Sequence, residues 1–192
     1  MATVPNPTTW SDNTVPASAT FNADIKGAQD FFTSPPRAIV QLNGYASAVN
    51  ATTWTVLTWN ADVTDTDNIH DTGTNTSRLT CKTAGRYKVF CNVSYDDQTT
   101  SFPDGDRGVA IRKNGNGSFA SPGIVCVEHR HCISTQAGST GTNIGVDGYV
   151  SLLVNDYIEA FVYQADNTSD LIRSDPSGFP NSVRFGMIWV SI

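Results

Sequence analysis

Cysteine and histidine side chains cluster in one short stretch, which is the clearest candidate for metal chemistry. Cys126, His129, His131 and Cys132 lie close together, and zinc takes thiolate and imidazole ligands tetrahedrally. The stretch itself is predicted to be a strand, on which the two cysteines face one side and the two histidines the other. Unless a bulge or loop brings the four together, we expect no metal site, and we interpret the histidines as solvated or interface residues.

Two polar segments, residues 60–75 and 96–106, are predicted to be loops rich in carboxylates. Carboxylate and carbonyl oxygens are the ligands that calcium prefers, but the aspartates of residues 96–106 lack the fixed spacing of a calcium-binding loop. We therefore expect no cofactor, with calcium as an alternative. The exposed-loop residues that we predict to bind a partner are Asp65, Asp67, Asn68, Asp97, Asp104 and Asp106.

No set of residues with a catalytic pattern is apparent in the sequence. The chain has no Gly-x-Ser-x-Gly elbow, no His-Glu-x-x-His and no phosphate-cradling glycine loop. We therefore predict that the protein is not an enzyme. The enzymatic alternative is a glycan hydrolase, which would need two carboxyl groups several ångströms apart.

The composition argues against several kinds of partner. A net charge of −6 disfavours nucleic acid, since such binders carry a basic face. No apolar run reaches the roughly 18 residues of a membrane span, and residues 1–16 lack the pattern of a secretory signal peptide. The four cysteines are therefore expected to be reduced, buried thiols, with a disulfide as the alternative.

The strand that organises the predicted fold is residues 86–95, which follow an Ala84-Gly85 turn. Aromatic, β-branched and cysteine side chains alternate there with Lys88, Phe90, Asn92 and Ser94, and this period of two is typical of a strand with one buried face. The inward residues are Tyr87, Val89, Cys91, Val93 and Tyr95. Further strands are predicted at 37–43, 52–59, 78–82, 107–113, 124–134, 144–154, 157–164 and 182–191. Turn signals every ten residues or so indicate an all-β antiparallel jelly-roll sandwich.

Residues 1–36 differ from the rest and are predicted to form an arm and a helix. Apolar residues at 21, 25, 28 and 32 follow the helical period, Ser18 is the expected N-cap, and Pro35-Pro36 ends the helix. A helix this short needs a surface, which is its own sandwich, other copies or another protein. We favour an anchor to another protein through Trp10, Phe21, Ile25 and Phe32, and place the domain boundary between residues 36 and 37.

Several motifs after residue 36 resemble the complement-one-q and tumour-necrosis-factor-like jelly-roll family. They are Asp71-Thr72-Gly73, Arg78-Leu79-Thr80, Ala84-Gly85-Arg86-Tyr87, Lys113-Asn114-Gly115, Asn155-Asp156-Tyr157 and Phe185-Gly186-Met187. Each is short, but their order and spacing match the family over residues 37–192. The resemblance implies a homotrimer, and the residues we expect to line its axis are Phe90, Phe185, Met187 and Trp189, with burial inside the protomer as the alternative for each.

The N-terminal part resembles small bacteriophage virion proteins, often called minor tail proteins. Trp10, the run from Phe21 to Lys26, Phe31-Phe32 before Pro35-Pro36, and the segment from Trp59 to Asp71 carry this resemblance. It implies a structural protein that is assembled in the cytoplasm of a bacterial host and located in the virion, where it contacts other virion proteins. A tail or fibre protein would bind a host-surface glycan or protein. The alternative is a capsid decoration or head-fibre protein that stabilises the shell.

Overall fold

The computed structural model describes residues 4–6, 8–11, 14–15, 17–49, 52–96, 105–120, 122–132, 142–165, 170–174 and 183–192. These residues form one helix, α1 (Ser18–Thr33), and twelve strands. The strands are β1 (Arg37–Gln41), β2 (Gly44–Val49), β3 (Thr55–Val56), β4 (Ala61–Asp65), β5 (Arg78–Thr80), β6 (Gly85–Asp96), β7 (Gly105–Lys113), β8 (Ile124–Cys132), β9 (Thr142–Leu152), β10 (Tyr157–Gln164), β11 (Asp170–Ser174) and β12 (Arg184–Ser191).

Two antiparallel sheets pack face to face. Six strands of the seven-stranded sheet follow the order β2-β11-β6-β12-β1-β4. The seventh strand, β9, is outside this order and also pairs with β6. The five-stranded sheet has the order β3-β10-β7-β8, and β5 also pairs with β10. This arrangement confirms the predicted antiparallel jelly-roll sandwich.

The predicted inward face of β6 forms the centre of the core. Tyr87, Val89, Cys91, Val93 and Tyr95 are each at most 1% exposed, which confirms the alternation seen in the sequence. The two tyrosines keep hydrogen bonds in the core, because the Tyr87 hydroxyl donates to the Thr83 carbonyl at 2.5 Å and the Tyr95 hydroxyl to the Gly108 carbonyl at 2.6 Å. Their polar atoms are therefore buried without losing a partner.

Three strands of the structure are absent from the strands predicted from the sequence. β4 lies inside the predicted 60–75 loop and pairs with β1, and β11 lies between Gln164 and the last strand and pairs with β2 and β6. β2 follows directly after the predicted 37–43 strand. All three have their partners far away in the sequence, so local pattern alone did not indicate them.

The strand directions give the sandwich two distinct ends. At the helix end, Gly85 pairs with Leu152 and Tyr87 pairs with Trp189. At the distal end, Tyr95 pairs with Thr142. The strand ends that flank residues 97–104, 133–141 and 166–169 all lie at the distal end.

Helix α1 begins at Ser18, with Ala17 in the N-cap position and without a side-chain cap. The expectation of a Ser18 cap was therefore wrong by one residue, because Ser18 already has a helical backbone. The helix ends before Pro35, and the Ser34 N–H donates to the Asp30 carbonyl. No helix in the described part of the chain is long and apolar enough to cross a membrane.

Candidate functional site

A single aromatic side chain of α1 docks the helix on the sandwich. Phe31 is 6% exposed and packs edge-on against Trp189, with ring centroids 4.8 Å apart. Trp189 lies across the start of β6, where a Cβ on Gly85 would stand 2.2 Å from its indole nitrogen. The helix end of the sandwich is therefore closed by Phe31 and Trp189, and Gly85 leaves the space for the indole.

The predicted anchor residues lie on the surface that this docking leaves free. Trp10 is 39%, Phe21 49%, Ile25 42% and Phe32 79% exposed. The neighbouring helix face is covered by the arm instead, where the Thr8 N–H donates to the Asp24 carboxylate at 3.2 Å. Phe21, Ile25 and Phe32 therefore leave exposed apolar side chains on α1, outside its contact with the sandwich.

The outer face of the seven-stranded sheet carries a second apolar group, which is bordered by the exposed ion pair of Lys88 and Asp147. Phe90, Ile188 and Ile39 are half-buried on neighbouring strands β6, β12 and β1. The Phe90 ring lies directly over Gly186, where a Cβ would come within 2.6 Å of it. Tyr149 continues this surface at 54% exposure, with the Arg86 guanidinium 4.9 Å from its ring centre.

Phe185 and Met187 do not belong to that surface. Both are 0% exposed and face the core, and Phe185 stacks on Trp59 at 5.4 Å between ring centroids. This corrects the expectation that they line a trimer axis, because strand alternation turns them inward. Of the four candidates, only Phe90 lies on the outer face, while Trp189 packs under Phe31.

The chain itself covers part of the outer face of the five-stranded sheet. Residues 114–120 fold back over it, and Phe119 stacks on Trp54 with centroids 4.1 Å apart and packs against Phe161 at 5.6 Å. Phe161 is fully buried although it is outside the main core. Val127 of the edge strand β8 pairs with Ala110 and remains 44% exposed on this face, so the cover is partial.

The loop between β4 and β5 is fixed by its own carboxylates. Asp65 accepts hydrogen bonds from the backbone N–H groups of Asp67 and His70 at 3.0 and 2.8 Å. Asp67 is only 2% exposed and accepts from the Thr83 hydroxyl at 2.8 Å. The expectation that Asp67 is an exposed binding residue was therefore wrong, since it holds the loop to the turn before β6, whereas Asn68 is exposed.

A polar cleft of about 420 Å³ opens beside this loop, on the flank where the edge strands β4 and β5 meet. The His70 ring lies in its wall, with Nδ1 2.6 Å from Asp62 and Nε2 3.2 Å from the Thr76 carbonyl. The other lining residues are Asn68, Ile69, Asp71, Thr72, Thr74, Asn75, Arg78, Thr80 and Lys82.

The remaining predicted loop residues belong to the other end of the molecule. Asp106 is exposed at the start of β7, 2.9 Å from the His131 ring. Asp97 and Asp104 lie outside the described residues. The structure therefore does not bring the binding candidates together: Asp65 and Asn68 lie toward the helix end and Asp106 at the distal end.

The cysteine–histidine stretch forms strand β8, as predicted. Cys126 faces β9, with its sulfur 3.3 Å from the Cβ position of Gly148, while His129 packs edge-on against Trp54 at 5.3 Å. In the described part of the chain, no three His, Cys, Asp or Glu side chains are placed to share a metal ion. Burial raises the pKa of the Cys126 thiol to about 11, and Cys81, Cys91 and Cys126 are free.

Solved structures with the same strand arrangement show the fold. The globular domain of zebrafish complement 1qA protein matches with a TM-score of 0.53 and 14% identity, over 81% of this chain and 97% of that one. Eiger TNF from S. frugiperda matches with a TM-score of 0.54 and 13% identity, over 81% and 94%. The fold is a complement-one-q and tumour-necrosis-factor-like jelly roll. No protein-family model matches the chain, and no curated protein matches it significantly.

Two features of the candidate site were not predicted from the sequence. The docking role of Phe31 was missed, because the helical period selected its neighbour Phe32. The cleft was missed because its walls come from two edge strands and the loop between them. A signal for the cleft did exist, since Thr72, Thr74 and Asn75 supply hydrogen-bonding side chains in a loop that was interpreted only as acidic.

Proposed function

We propose that this protein is a non-enzymatic structural protein of a bacteriophage virion. It forms a homotrimer through the outer face of the seven-stranded sheet, and residues 1–36 attach it to the particle. The observation that carries assembly and attachment is the pair of exposed apolar groups, one on α1 and one around Phe90, on a jelly roll whose other outer face is partly covered.

Homotrimerisation is supported by the distribution of apolar residues between the two sheets. A β-sandwich that stays a monomer exposes a mainly polar outer face. Here Phe90, Ile188 and Ile39 adjoin one another on the outer face of the seven-stranded sheet. Another copy of the chain that covers these side chains would bury their apolar area. Such burial stabilises an assembly by about 25 cal/mol for each Å² removed from water.

Attachment through the N-terminal segment is supported by the exposure of its large side chains. Each can contribute roughly 1.5–3 kcal/mol when buried by a partner, which is enough in sum to hold a protein on a particle. The attachment surface lies at the helix end, so the distal end points away from the particle. That orientation suits a tail or fibre protein whose distal residues, Asp106 among them, contact a glycan or protein of the host surface.

A capsid decoration or head-fibre protein is the second candidate. It is favoured by the same attachment surface, since a decoration protein needs an anchor and a compact outer domain. The number of copies in a purified particle separates the two placements, because a tail carries a few copies and a shell carries hundreds. Quantitative mass spectrometry of virions measures this number.

Two experiments test the proposal itself. Light scattering on the purified full chain should give the mass of a trimer, and Phe90→Asp should reduce it to a monomer while Lys88→Ala, on the same face, should not. A chain that starts at Arg37 should still trimerise but no longer join the particle. A monomeric wild type refutes the assembly surface, and particles that retain the shortened chain refute the anchor.

A further inference from the structure

The flank cleft between β4 and β5 has the properties of a preformed binding site. Its volume of about 420 Å³ falls within the range of roughly 300–1,000 Å³ for small-molecule sites. The walls are hydrogen-bonded before any ligand arrives, since Asp65 holds the loop backbone and His70 lies between Asp62 and the Thr76 carbonyl. Binding therefore does not have to order this loop, which saves part of the usual entropy cost.

Arg78 closes one side of the cleft and is held rigidly. Its Nε lies 3.3 Å from the buried Glu159 carboxylate, one terminal nitrogen donates to Asn116 at 2.7 Å, and its guanidinium stacks 4.2 Å from the Tyr157 ring centre. The charge of Arg78 is thus balanced by Glu159 outside the cleft. It shapes the wall and does not provide an unbalanced positive charge for an anion.

The remaining lining groups offer donors and acceptors in nearly equal measure. The positive charge of Lys82 is offset by the carboxylate of Asp71. Asp71 is ionised because the N–H groups of Gly73 and Thr74 donate to its carboxylate and lower its pKa. Asn68 adds an amide, and three threonines at positions 72, 74 and 80 add hydroxyl and methyl groups. Asp62 adds a second carboxylate, so excess negative charge disfavours phosphate and other anionic ligands, whereas mixed donors and acceptors suit a ligand with many hydroxyl groups.

We propose that this cleft binds a neutral saccharide. Asn68 and Asp62 contact neighbouring hydroxyl groups from one side, Lys82 donates from the other, and the threonine methyl groups pack on the C–H face of the sugar. The site goes beyond the proposed function, because it lies on the flank toward the helix end and is separate from the distal residues. Three copies in a trimer would add avidity to a weak single-site affinity.

Saturation-transfer NMR and calorimetry on the full chain test the proposal. The probes are maltose, cellobiose, lactose and N,N′-diacetylchitobiose at millimolar concentration, with inorganic phosphate and calcium chloride measured separately. At least one disaccharide should bind. Asn68→Gly and Lys82→Gln should each weaken that binding about fivefold or more, because each substitution removes one hydrogen bond to the sugar.

The chain offers matched controls for both substitutions. Asn68 and Asn155 both have a left-handed backbone, with φ of 54° and 72°, which glycine adopts without strain. Asn155→Gly and Lys88→Gln should therefore leave saccharide binding unchanged. Three results would each overturn the proposal. None of the four disaccharides binds, the control substitutions weaken saccharide binding as much as Asn68→Gly and Lys82→Gln do, or calcium or phosphate binds in place of sugar. None of these results affects the trimer mass or particle attachment, so the two proposals fail separately.

Discussion

Replacing Phe31 by alanine should release α1 from the sandwich without unfolding the jelly roll. Phe31 is the only buried residue that the structure shows in this helix, and its ring meets Trp189 edge-on at 4.8 Å. Burial of a phenylalanine contributes about 1.5–3 kcal/mol, and an aromatic pair adds about 0.5–1.5 kcal/mol. A loss of about 2 kcal/mol raises the undocked population of the helix about 30-fold.

Hydrogen exchange of the α1 amides measures this population directly, because undocking exposes a helix that is too short to persist alone. Phe32→Ala is the matched control, since the adjacent ring is 79% exposed and its removal should leave exchange unchanged. The amides of β6 should exchange as in the wild type in both variants. Unchanged protection of α1 in Phe31→Ala, or equal effects of the two substitutions, would refute the docking role of Phe31.

Three further predictions concern the core and the hairpin turns. Val89→Asp should abolish folding, because an unpaired charge at a fully buried position costs several kcal/mol; a cooperative thermal transition in the variant would contradict this. Burial would raise the pKa of Asp156, but hydrogen bonds from a lysine, an asparagine and a backbone N–H outweigh it and lower the pKa to about 2 from 3.8. Its contribution to stability is therefore present above pH 4 and lost as the pH falls toward 2, so Asp156→Asn should destabilise the protein at pH 7 and match the wild type near pH 2 in denaturant titrations. Iodoacetamide at pH 8 should modify Cys91 and Cys126 in the native protein far more slowly than a free thiol, because burial raises the pKa of both; rapid labelling detected by mass spectrometry would count against this.

The elements that could be predicted from sequence are those whose pattern is local. The alternation of β6 needs no knowledge of its neighbours, and it indicated the buried face correctly at every position. β4 contains two aspartates and one exposed valine, and its strand conformation depends on pairing with β1. Such an edge strand carries little apolar alternation of its own, so the sequence suggested a loop.

The candidate site depended more on tertiary placement, and its prediction was less complete. Two adjacent phenylalanines, Phe31 and Phe32, lie 100° apart on a helix, and periodicity cannot tell which of them meets the sandwich. Asp67 has the composition of a solvated loop residue, but its partner Thr83 lies sixteen positions later. Burial of a polar residue is visible in a sequence only when its partner is already known.

The separation of the two ends has a practical consequence for engineering this molecule. The strand ends that flank residues 97–104, 133–141 and 166–169 point away from α1, from the Phe31–Trp189 contact and from the outer face around Phe90. Long insertions between such strand ends add little closure entropy. A foreign peptide grafted at any of these three points would be displayed away from α1, while the helix, the Phe31–Trp189 contact and the outer face around Phe90 kept their native sequence.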